Sequence, residues 1–170
     1  MALFARLARL WRHRWTDEAD VRRALPADLL DRLTRRVSAS ERRHTGEIRL
    51  CVEAGLPLSY LWRDAPARER AIMLFGKLRV WDTEHNNGVL IYVLLAERAI
   101  EIVDDRGLDR HVPDTEWKVV VDAMAVEFRE GRFEDGLTRA IDAVDALLVS
   151  HFPIGDGDDV NELPDRIHVR

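Results

Sequence analysis

The chain has 170 residues, 46% apolar and 34% charged, enough for one domain that buries about 70% of its unfolded surface. A net charge of −5 argues against nucleic acid as the main partner. A single cysteine, Cys51, excludes an internal disulfide and a cysteine-based zinc cluster.

Charge is unevenly placed: residues 1–15 hold four arginines and no acid, whereas 151–170 hold five acids and two arginines. Residues 2–15 read as a basic amphipathic helix, with Leu3, Phe4, Leu7, Leu10 and Trp11 on one face and arginines on the other. That composition suits an anionic membrane surface. Arginines at 6, 9, 12 and 14 interrupt every apolar stretch, so no secretory leader is expected here, nor is any stretch long enough to span a membrane. The expected place is the cytoplasm, peripheral to the inner membrane face.

Thr16 reads as an N-cap followed by acids, opening a short helix to Leu25. Pro26 then suits the first position of a helix to about Arg43, with Leu30, Leu33 and Val37 inward. Residues 47–53 alternate as a strand. Residues 64–79 form a helix with Ala71, Leu74, Phe75 and Leu78 inward. Val89–Ala96, introduced by Asn86-Asn87-Gly88, is the longest apolar run and reads as a strand buried on both faces. Ala99–Val103 is a third strand. A helix from Pro113 to Gly131 carries Trp117, Val120, Val121, Met124 and Phe128 at core spacing, and a last helix spans about 134–150. The remainder reads as a loose acidic tail. The expected organisation is a basic helical extension (1–25), a domain proper (26–152) and the tail (153–170).

Strand, helix, strand is a βαβ unit, so the first two strands should run parallel and the third, after a tight turn, antiparallel. The expected fold is α/β: a three-layer α/β/α sandwich on a small mixed sheet. This topology gathers His44, Asp82, Glu84, His85, Asn86, Asn87, Asp104, Asp105 and Arg106 at the amino ends of the parallel strands. Open α/β sheets usually bind ligands at the other end. The oxygens of Asp82, Asp104 and Asp105 suit Ca2+ or Mg2+, although residues 82–88 lack the glycine and glutamate of an EF-hand. A zinc alternative would join His44, His85 and His111, which lack metal-ligand spacing. No phosphate loop or nucleophile elbow is present in the sequence.

Residues 44–49, 80–93, 101–107, Trp117, 128–133 and 161–165 together resemble the TPM-domain proteins in their short bacterial form. The resemblance implies an α/β/α sandwich. It brings the family's associations: acid phosphatase activity, calcium binding, chaperone-like behaviour, and genes beside one for a LemA-type membrane protein. It marks His44, Glu47, Trp81, Asp82, Asn87, Gly88, Asp105, Gly107 and Trp117 as a binding patch, to which His85 and Arg106 are added. The chain lacks the family's Asp-Asp-x-Gly opening motif and the acidic ligands it supplies. The reading is therefore a non-enzymatic binding or assembly module, with a possible divalent cation, in membrane-protein assembly or quality control. A weak metal-dependent acid phosphatase, with His44 or His85 as general acid, is the alternative.

Overall fold

A computed structural model describes residues 2–154 and 163–170, apart from the side chains of Ala2, Leu3 and Ala5. Its helices are α1 (Ala2–Trp15), α2 (Glu18–Ala24), α3 (Ala27–Ser40), α4 (Leu58–Trp62), α5 (Ala67–Lys77), α6 (Arg106–Asp109), α7 (Asp114–Arg129) and α8 (Phe133–His151). Its strands are β1 (Ile48–Glu53), β2 (Val89–Leu94), β3 (Ala99–Asp104) and β4 (His168–Val169).

The sheet order is β3-β2-β1-β4. β1 and β2 are parallel from Ile48↔Val89 to Glu53↔Leu94, and β3 is antiparallel to β2 from Val89↔Asp104 to Leu94↔Ala99. This is the expected mixed sheet in three layers. Ile48, Leu50, Val52, Val89, Ile91 and Val93 face a core shared with α2, α3, α7 and α8. Cys51, Leu90, Tyr92 and Leu94 face α4 and α5 on the other side. Every residue of β1 and β2 is buried, which is why β2 reads as a continuous apolar run rather than an alternating one.

The charged side chains of β1 are buried because distant groups meet them. Glu53 accepts Arg70 Nε at 2.8 Å and the Tyr92 hydroxyl at 2.9 Å, and Arg49 donates to the carbonyl of Pro164. Removing one member of the Glu53–Arg70 pair would leave an uncompensated buried charge, at a cost of about 3–5 kcal/mol.

Several expectations are corrected. Asp17, not Thr16, caps α2: it accepts from Ala19 N and Asp20 N, and Asp20 closes a capping box. The Thr16 hydroxyl instead donates to Arg12 O at the end of α1. Pro26 and Pro113 stand one position earlier than expected, as extended N-cap residues. α3 ends at Ser40, short of Arg43; Leu29 joins Leu33 and Val37 in full burial, and Leu30 is partly buried against the same core. β2 stops at Leu94, where a single 3-10 turn (Leu95–Glu97) begins. The tail is not loose throughout: residues 163–170 bury Leu163 and Ile167 and add β4 parallel to β1. Asn161 and Glu162, with the rest of 155–162, lie outside the described residues. α4, α6 and β4 are too short for periodicity to announce them.

α1 is amphipathic as expected, but it meets the domain with its polar side. Arg9 donates to Glu97 (2.6 Å), Asp64 (2.7 Å) and the carbonyl of Ala65 (2.6 Å). Buried His13 contacts Glu97 through Nε2 at 2.8 Å and accepts the Leu56 N–H at Nδ1 at 2.9 Å. An accepting Nδ1 fixes the neutral, Nε2-protonated tautomer. Burial lowers the imidazole's pKa, against the upward pull of Glu97. Burial would raise Glu97, but the hydrogen bonds from Arg9 and His13 hold it below the usual carboxylate range.

Candidate functional site

The amino ends of β1 and β2 and the carboxyl end of β3 do meet. Val89 N donates to Glu47 O at 2.8 Å, Asp105 N to Gly88 O at 3.0 Å, and Gly107 N to Asn86 O at 2.8 Å. Residues 44–47, 79–88 and 104–107 thus form one cluster of loops, where the chain topology placed them.

Inside the cluster, side chains tie backbone to backbone. Asn87 is fully buried; its Nδ2 donates to Thr45 Oγ1 at 3.1 Å, and its backbone N–H donates to Thr83 Oγ1 at 3.1 Å. The left-handed residue of the turn is Asn86, at φ +53°. Gly88 is needed for another reason: a Cβ there would lie 2.0 Å from Val80 O. At Gly107 it would lie 2.3 Å from Asn86 O. Arg106 reaches back with both Nε and Nη2, at 2.9 and 2.7 Å, to Asn86 Oδ1. Asp105 caps α6, accepting from Arg106 N at 2.8 Å.

The remaining patch residues divide by exposure. His44 and Glu47 are buried. Trp81, half exposed, donates its indole N–H to Gly76 O. Asp82 is exposed and pairs with Arg79, and His85 is exposed. Trp117 is buried in α7 and faces Asp104 of β3; burial raises the Asp104 carboxyl, and the Trp117 contact opposes that rise. Asp82 thus pairs with Arg79 and Asp105 Oδ1 caps α6, while Asp104 Oδ2 and Asp105 Oδ2 are buried without a hydrogen-bond partner among the described residues. Among the described residues, no three His, Cys, Asp or Glu side chains come together as a metal would require. His111 stacks on His151, centroids 5.0 Å apart, and buried His44 turns its Nε2 to Ser40.

Beneath the loops lies a network that the sequence reading did not single out. Ser40 Oγ sits 2.9 Å from His44 Nε2 and donates to Asp145 Oδ1 at 2.7 Å; Arg43 reaches Asp145 Oδ2 at 2.5 Å. The three residue types of a hydrolase triad are present, but serine stands between histidine and aspartate and gives its proton to Asp145, so the acid does not orient the imidazole and the imidazole does not take the serine proton. With His44 fully buried, the set joins α3 to α8 rather than meeting a substrate. The available signal was Asp145 itself, an acid on the core-facing stripe of Ile141, Val144 and Leu148. A second missed group is Glu41, whose Oε1 accepts Ile48 N at 3.0 Å. Burial, then the nearby charges of Glu47 and Asp165, push its carboxyl up to about 9, against the lowering effect of the Ile48 N–H.

Comparison with known proteins agrees with this architecture. A family model of the TPM domain matches residues 18–147. The solution structure of the BA42 protein from the psychrophilic bacterium Bizionia argentinensis superposes with a TM-score of 0.75 at 29% identity, over 86% of this chain and 95% of that one. The N-terminal domain of a protein from P. gingivalis superposes with a TM-score of 0.57 at 22% identity, over 77% and 83% of the two chains. No curated protein matches the chain.

Proposed function

Since the chain belongs to the TPM-domain family, we propose that it is a non-enzymatic binding module, assisting the assembly or quality control of a membrane protein at the inner face of the membrane. The supporting observation is the use made of the gathered polar groups. His44, Glu47, Asn87, Gly88, Gly107 and Trp117 are spent inward, on loop closure and layer contacts. What reaches solvent is a rigid rim carrying Trp81, Asp82, His85 and Arg106, a surface suited to contact a partner. A LemA-type membrane protein is the partner this reading names first.

Calcium, in this reading, is a weakly held accessory rather than a resident ion. It takes six to eight oxygens, and the carboxylates of Asp82, Asp104 and Asp105 turn to different neighbours. The phosphatase alternative would need those same acids to share a cation beside a phosphate. The test is a calcium titration followed by amide NMR at 82–88 and 104–107, together with a phosphate-ester assay of wild type and Asp105→Asn. The expected result is equal, background-level hydrolysis by both proteins. Calcium-dependent turnover that Asp105→Asn abolishes would replace the binding module with an enzyme.

A further inference from the structure

The carboxyl end of the sheet presents a surface of a different kind. Phe4, Leu7, Trp11 and Trp15 recur at i, i+3, i+7 and i+11 and form one stripe of α1. An amphipathic helix in a globular domain normally buries that stripe. Here Arg9 and His13, on the opposite side, make the attachment, and the stripe faces solvent: Phe4 is 79% exposed, Trp11 64% and Trp15 71%. α4 extends the surface. Leu58 lines a cleft of about 570 Å³ with Leu10, Trp11, Arg14 and Trp15, and Trp62, one turn further on, is 87% exposed.

We propose that this composite face of α1 and α4 docks on an anionic membrane surface. Charge selects the occupant. Arg12 and Arg14 flank the stripe and enter no ion pair among the described residues. Arg6 reaches Asp64 only at 3.6 Å and stays 60% exposed. The acids that follow α4 are already held, Asp64 by Arg9 and Glu69 by Arg63. A second copy of the chain would set these arginines against their own counterparts, which like-charge repulsion opposes. Anionic headgroups complement the arginines while the indoles sit at headgroup depth, the usual place of tryptophan in an interface. The chain as a whole carries −5, so its basic end turns toward such a surface and its acidic remainder away. The membrane contact foreseen for residues 1–15 thus becomes a surface assembled from two distant segments, with Trp62 as its second foothold.

This gives the binding module its membrane address and in that sense rests on the reading above. The experiment below uses neither divalent cations nor phosphate esters, so the two can fail separately. The full chain is sedimented with vesicles of phosphatidylglycerol mixed into phosphatidylcholine, and with phosphatidylcholine alone. Binding is expected on the mixed vesicles only, with release by high salt. Arg12→Ala and Arg14→Ala should each weaken it about fivefold, and Trp62→Ser should weaken it while the circular dichroism melt stays that of wild type. Equal binding by Trp62→Ser and wild type would overturn the composite surface. Equal binding to neutral vesicles would overturn its electrostatic basis. No vesicle binding would overturn the proposal, and a concentration-dependent dimer that Trp62→Ser removes would then assign the face to a second copy of the chain.

Discussion

The two ends of the sheet invert the rule that polar residues face out and apolar residues face in. At the amino end, Asn87, His44 and Glu47 are buried, and Asn87 and His44 act as internal fasteners through Thr45 and Ser40. At the carboxyl end, Trp11, Trp15 and Trp62 stand in solvent while a histidine and an arginine do the packing. Each end departs from the ordinary distribution for its own reason. Loops that close on one another must satisfy their backbone groups internally. A helix pinned by a part-buried network of Arg9, His13 and Glu97, with Leu10 packed beside it, leaves the rest of its apolar stripe to solvent.

The largest expected effect lies at the amino end. Gly88→Ala places a methyl group 2.0 Å from Val80 O, a backbone atom that cannot step aside. Urea unfolding should register a loss of roughly 3 kcal/mol or more. A loss below about 1 kcal/mol would mean that the loops are not locked as described.

A pH-dependent effect comes next. Glu41 has its folded pKa raised to about 9 by burial, so its neutral form is favoured and the stability it contributes is present below the unfolded carboxyl pKa and lost as pH rises toward 9. Glu41→Gln keeps the acceptor for Ile48 N but cannot ionise. The variant should match wild type at pH 4 and exceed it by up to about 3 kcal/mol at pH 8. A difference independent of pH would sink the assignment.

The smallest effect belongs to the carboxyl end. Burial depresses the His13 pKa below its ordinary value of 6.5, so docking of α1 is complete above that value and weakens as pH falls through the folded pKa. The groups around His13 are Glu97, Arg9 and Arg12. Protonation would turn Nδ1 into a donor facing the Leu56 N–H. The protection of α1 amides, taken relative to their intrinsic exchange at each pH, should therefore fall below pH 6.5 while the sheet stays protected. An equal loss of protection across the molecule would show that α1 is not a separate unit.

The long elements and the chain directions were legible in the order of the residues. Apolar runs and 3.6-residue stripes are local properties, and β2, β3, α7 and α8 are where those patterns placed them. The loop cluster followed from direction alone, because two parallel strands and an antiparallel third must bring 44–47, 82–88 and 104–107 together. What each polar side chain is for depends instead on contacts made across the fold. Asp145 meets Ser40 across 105 residues and Glu97 meets Arg9 across 88. No window of local periodicity spans such distances, so the sequence displayed the two faces of α1 without saying which one would attach. That choice was made by Glu97 and Leu56, waiting at the carboxyl ends of the strands.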